Sequence, residues 1–186
     1  MDQVKLPEHP LSRRLSVQYS IPEWMVEMWL SSYPEETVEK MLSFMMEEHP
    51  TCIRFDPERI TKEEIKARLK EDGVEKVEDH PVLPYALWIS GYDYLGGLET
   101  FEEGLFYVQD ASSMMAVESL PVKKGDSIID VCAAPGGKAL HAAEKLAGTG
   151  HVDARDLTEY KVGLIEENIG RSGLTNISAR QQDARV

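Results

Sequence analysis

Residues 130–139 read DVCAAPGGKA and follow the apolar run SIID. A strand, a Gly-Gly-Lys loop and a helix of small residues together form an arrangement that can cradle a phosphate on helix N-terminal amides. A cysteine on the same turn is a candidate nucleophile. Spacing argues against both. A Walker loop needs G-x-x-x-x-G-K-[ST], but Cys132 stands at the first glycine and Ala139 at the magnesium-holding hydroxyl. The dinucleotide fingerprint G-x-G-x-x-G fails as well, because Gly136 and Gly137 are adjacent. Cys132 has no histidine beside it, and His141 lies nine positions on, in the following helix. A small buried residue in a tight loop is therefore the expectation for Cys132. What remains is a loop of Ala133, Ala134, Pro135, Gly136 and Gly137 that lets a ligand approach the backbone at the mouth of a helix. Asp156 ends the next strand, 24 positions after Cys132, where an acid accepts hydrogen bonds from a ribose diol. Its competing role is N-cap of the helix that follows. Asp183 ends a third strand, within reach of an adenine edge or merely in a turn.

These residues need elements to hold them. From about 105 onward the pattern alternates strand and helix: KKGDSIIDVCA, KALHAAEKLAG closed by Gly148, GHVDARD, TEYKVGLIEENIGRSG closed by Gly173, and NISARQQDA. That is the signature of a parallel, doubly wound, Rossmann-like sheet. Three strands make only its first half, so the sequence is expected to be a piece of a longer chain. Upstream, residues 1–19 read as an extended lead-in, and two helices are expected over 22–32 and 34–48. Pro22 and Pro34 suit first helical turns, and Ser32 is a candidate N-cap. Trp24, Val26, Met28, Trp29 and Leu30, with Val38, Met41, Leu42, Met45 and Met46, recur at helical spacing and read as core. TCIRF, VEKVE and YALWIS read as strands around the helix TKEEIKARLKEDG, whose Thr61 and Glu64 match a capping box. Strand–helix–strand–strand describes a small α+β module. The division is then 1–19 lead-in, 20–104 N-terminal helical plus α+β module, and 105–186 partial Rossmann-like domain.

Composition bounds the function classes. The net charge of −13 is uneven: 23 acidic and 11 basic residues precede position 111, and 10 and 9 follow. An acidic first part argues against a broad basic nucleic-acid face. No apolar run is long enough for a bilayer, and the N-terminus lacks a secretory h-region. Cys52 and Cys132 form no CxxC pair, which fits a reduced, cytoplasmic protein.

GLFYVQDASSM, DVCAAPGGK, ARDLTEYKVGLIEENIGRSGLTNI and QQDAR closely resemble the Sun/Nol1/Nop2 family of S-adenosylmethionine-dependent RNA cytosine-5 methyltransferases. Within it the pattern is similar to the bacterial 16S ribosomal RNA enzymes, from about residue 15 to the end. The resemblance implies that Cys132, Ala133, Ala134, Pro135, Gly136, Gly137 and Lys138 wrap the methionine part of S-adenosyl-L-methionine. It further implies that Asp156 binds the ribose hydroxyls, that Asp183 lies against the adenine, and that Asp130 orients the loop or the cofactor amino group. Residues 20–104 would help hold ribosomal RNA. The family's nucleophilic cysteine (Pro-Cys) and its product-release cysteine (Thr-Cys) fall beyond Val186, so the chain is expected to be inactive alone. Two departures stand out. Arg155 replaces an apolar strand residue and could loosen the sheet, and Arg54-Phe55-Asp56 replaces Arg-Val-Asn, putting an RNA contact there in doubt. A non-enzymatic RNA-binding or ribosome-assembly module is the alternative, and a nucleotide-dependent dehydrogenase lacks its glycine pattern. An unpaired edge on SIIDVCA would invite self-association.

Overall fold

The protein, described here from a computed structural model over residues 6–185, divides after His49 into two compact units. The first is a three-helix unit. Leu11, Leu15 and Tyr19 fall on one helical face and turn residues 11–19 into α1 (Leu11–Tyr19), closed by Ser20 in the left-handed region. The expected extended lead-in is therefore corrected for residues 11–19, while residues 1–5 lie outside the described residues. Helices α2 (Glu23–Leu30) and α3 (Glu35–Met46) follow, with Pro22 and Pro34 at their N-caps. Ser32 is not a cap, since Pro34 fixes the start of α3 two residues later. Leu15, Val26, Val38 and Leu42 make the core, with Trp29 and Leu30 half-buried against them. Trp24, Met28, Met45 and Met46 were expected in that core and are exposed instead. Three short helices enclose only a narrow seam, which four aliphatic side chains fill.

The second unit begins with β1 (Thr51–Phe55), α4 (Lys62–Glu71), β2 (Lys76–Asp79) and β3 (Ala86–Ser90). Thr61 and Glu64 form the expected capping box on α4. A short helix α5 (Glu99–Glu102) then leads into β4 (Phe106–Val108), which pairs antiparallel with β1 through Ile53–Val108, Arg54–Tyr107 and Phe55–Phe106. The sheet order β2-β3-β1-β4, all antiparallel, with a helix after β1 and another after β3, is a ferredoxin-like split β-α-β arrangement. Strand β4 thus completes the first sheet. A division at 104/105 would separate it from its partner, because the pairing is non-local.

Helix α6 (Ala111–Glu118) connects this sheet to the next. Its Met114 packs on Leu83 and Ala86 of the ferredoxin-like side, and its Val117 belongs to the core of the following domain. Strands β5 (Ser127–Asp130), β6 (His151–Asp156) and β7 (Ile177–Gln181) pair in parallel in that order, joined by α7 (Gly137–Lys145) and α8 (Glu159–Ser172). This is the expected Rossmann-like half-sheet. Core residues Leu140, Ala143, Leu146, Val152, Ala154 and Ile165 lie between the sheet and its helices. Arg155 does not open the sheet: on the alternate face it pairs with Asp153, which also takes Arg180 from β7. Among the described residues strand β5 has no partner on its other side, and Ile129 and Val131 are exposed.

Candidate functional site

The loop after β5 is fixed mainly through its backbone. Asp130 Oδ1 accepts from Cys132 N (3.1 Å), which supports the loop-orienting half of its expected role. Ala133 N donates to Arg155 O (2.9 Å) and Gly136 N to Ala133 O (2.7 Å). Gly136 has φ +112°, a conformation that turns the chain into α7. No side chain caps α7, leaving its first-turn amides at the cavity wall formed by Gly137 and Lys138. The cavity, of about 410 Å³, is lined by Gln109, Asp110 and Ser113 on one side and by Asp130, Cys132–Pro135, Gly137 and Lys138 on the other.

Asp156 is buried at the end of β6. Its Oδ2 accepts from Ala134 N (3.0 Å), its Oδ1 from Leu157 N (2.8 Å), and Lys161 Nζ lies 3.1 Å away. Burial pushes its carboxyl up, but these N–H groups and the ammonium overcome that and hold it below the usual range. The N-cap reading fails for Asp156, because Thr158 caps α8 by accepting from Lys161 N (3.4 Å). Asp156 is a brace between β6 and the loop. Asp183 lies two residues beyond β7 with its carboxylate on Arg185 (2.6 Å), which lowers its pKa.

Cys132 is exposed, which overturns the expectation of burial: the loop leaves β5 at an uncovered end of the sheet. His141 is turned away from it, 3.4 Å from Glu118 and edge-on to Tyr85. Cys52 is half-buried, and burial, then Asp110, raise its thiol pKa. Those surroundings do not activate Cys52. Among the described residues no group of His, Cys, Asp and Glu could hold a metal ion.

Sequence reasoning missed Gln109. Its side chain is buried, lines the cavity wall against Gly137, and neither amide atom has a partner among the described residues. A buried unpaired amide is costly unless something else satisfies it. Arg54, whose RNA role was in doubt, is fully buried and bonded to Glu144 of α7. It ties the first sheet to α7.

A family model for the ferredoxin-like domain of RsmF/B-like methyltransferases matches residues 21–92, and one described as 16S rRNA methyltransferase RsmB/F matches residues 117–186. The chain is 33% identical over 173 residues to the probable ribosomal RNA small subunit methyltransferase B of Bacillus subtilis, covering 93% of this chain and 38% of that relative. It is 43% identical over 91 residues to the tRNA (cytosine(72)-C(5))-methyltransferase of Pyrococcus horikoshii, covering 49% of this chain and 23% of that relative. The crystal structure of PH0851 superposes with a TM-score of 0.82 at 27% identity, over 98% of this chain and 41% of that one. Fold and loop together define a Rossmann-like methyltransferase domain preceded by a ferredoxin-like one. The chain belongs to the RsmB/F methyltransferase family. It spans about 38% of the length of the B-type relatives.

Proposed function

We propose that this chain carries the cofactor-binding half of an S-adenosyl-L-methionine-dependent RNA cytosine-5 methyltransferase acting on 16S ribosomal RNA. The observation that carries this reading is the loop Cys132–Lys138, braced by Asp156 and walled by an unpaired Gln109 amide. These residues fit the cofactor. First-turn amides of α7 suit its carboxylate, Asp130 and Asp110 suit its ammonium, and Asp156 suits its ribose diol. Bound there, the cofactor supplies an electrophilic methyl group. Asp183 would lie against the adenine, and residues 20–104 would help hold the RNA. A ribosomal substrate and two free thiols fit a cytoplasmic setting, and among the described residues no helix is long and apolar enough to cross a membrane.

The reading predicts that S-adenosylmethionine protects exposed Cys132 from iodoacetamide, and that Asp156→Ala weakens binding roughly tenfold or more, as expected for a lost charged hydrogen bond. Equal alkylation with and without cofactor would sink it. Because neither cysteine has a base, we expect no transfer of labelled methyl to a 16S RNA fragment by this chain alone, and measurable transfer would refute that expectation. The apolar groove at the open β5 edge, about 380 Å³ and lined by Val117, Leu120, Ile128 and Ile129, supports self-association of this chain. A single monomeric species in sedimentation at high concentration would count against it.

A further inference from the structure

The cofactor loop is also held from the α8 side, by side chains that begin at the other sheet. Arg171 of α8 stacks over Phe101 (4.0 Å) and Tyr107 (4.9 Å) and donates from NH1 to Phe101 O (2.9 Å) and Phe106 O (3.2 Å), all on the ferredoxin-like side. Its NH2 donates to Asn168 Oδ1 (2.8 Å), one helical turn back. A guanidinium only donates, so the Asn168 oxygen must face Arg171 and its NH2 must face the other way. That NH2 donates to Pro135 O (2.9 Å) and to Leu164 O (3.1 Å). The Pro135–Gly136 peptide is therefore pinned at both ends, its oxygen by Asn168 and its N–H by Ala133 O (2.7 Å). This peptide plane aims the first turn of α7.

We propose that Asn168 is a positioning residue for the cofactor loop, oriented by Arg171, so that loop geometry depends on docking of the ferredoxin-like sheet. The part of this inference that concerns cofactor affinity rests on the loop being the S-adenosylmethionine seat. Asn168→Asp separates the roles: the carboxylate still accepts from Arg171 but cannot donate to Pro135. In the unliganded chain, amide hydrogen exchange at Gly136 and Leu140, whose N–H groups donate to Ala133 O and Gly136 O, should quicken roughly three- to tenfold, the worth of one partly exposed hydrogen bond. Calorimetric affinity for S-adenosylmethionine should fall by a similar factor, with Tm within about 3 °C of the parent, because the helix and the Arg171 pair are kept. Arg171→Lys, which keeps the charge but loses the fork that orients Asn168, should give the same two changes and serves if Asn168→Asp does not fold. Unchanged loop exchange in a folded variant would overturn the proposal, as would a fall in Tm with no selective change at the loop. If the parent chain binds no S-adenosylmethionine, the seat reading falls, while the exchange measurement still decides the role of Asn168.

Discussion

Glu144→Leu should destabilise the protein by about 3–5 kcal/mol, seen as a fall in urea midpoint at constant m. Arg54 is fully buried beneath Tyr107 (5.0 Å to the ring), with Nη1 on Glu144 and with Nε and Nη2 lacking a hydrogen-bond partner among the described residues. Leucine at 144 removes the counter-charge and leaves a desolvated cation. Adding Arg54→Met removes that cation too, and the double variant should recover to within about 1 kcal/mol of the parent, since burying an ion pair roughly breaks even. A double variant as unstable as Glu144→Leu would show that packing, not charge, sets the cost.

The same cluster titrates in two directions. Burial pushes the Glu144 carboxyl up to about 7 despite Arg54, while burial and then the Arg54 charge push His141 down to about 3. Tyr85, Glu118, Lys145, Asp56 and Arg59 complete the charged surroundings of the two groups. Glu144 titrates higher in the folded state than unfolded, so its contribution is full below about 4.5 and is lost as pH rises through 7. His141 titrates lower when folded, so its contribution is present above about 6.5 and is lost as pH falls. Between these values the two oppose each other. Relative to the parent, His141→Gln should gain stability on acidification from pH 6.5 to 4.5 and Glu144→Gln should lose it, each by up to about 1.4 kcal/mol per pH unit. Slopes of the same sign in both variants would refute the assignment.

Gly104→Ala is the second large effect, at about 3 kcal/mol or more. Gly104 has φ +64°, and a Cβ there would lie 1.9 Å from the Arg171 carbonyl oxygen, a backbone atom of α8. Left-handed strain accounts for about 1–2 kcal/mol, and relieving the overlap requires α8 to move off the loop. Such movement would also disturb Arg59, which donates to both Gly104 O (3.1 Å) and Ser172 O (2.6 Å). Gly173→Ala is the control: φ is +68° but nothing lies within 4 Å, so the strain alone should appear. Equal midpoints for the two variants in urea would show that the close approach costs nothing.

Local signals were legible where a residue acts through its own neighbours in sequence. The Thr61–Glu64 box, the Gly173 stop, the strand ends at Asp130 and Asp156, and the alternation of strands and helices all depend on short spacing. What escaped depends on partners far along the chain. Pairing of β4 with β1 spans some fifty residues, and nothing in FYV says which sheet it joins. Arg54 reads as a surface cation until Glu144, ninety positions on, is placed beside it. Asn168 and Arg171 stand three apart on α8, a spacing that allows a pair but does not say that one reaches the loop and the other the first sheet. Asp156 was located correctly as a strand-end acid, but its bond to Ala134 depends on a loop 22 positions earlier.

The return of β4 to the first sheet has a practical meaning for anyone who cuts or grafts this gene. A Rossmann-like domain excised from residue 105 would carry away an edge strand that belongs to its neighbour. It would leave Ile53, Arg54 and Phe55 of β1 paired on the β3 side alone, while the excised piece gained three residues with no sheet to join. A junction after Val108 respects both sheets, although Gln109 N still reaches back to Cys52 O (3.1 Å). The boundary between the two domains is thus set by strand membership rather than by the change of pattern along the chain, and a cut after Val108 leaves every strand with its own sheet.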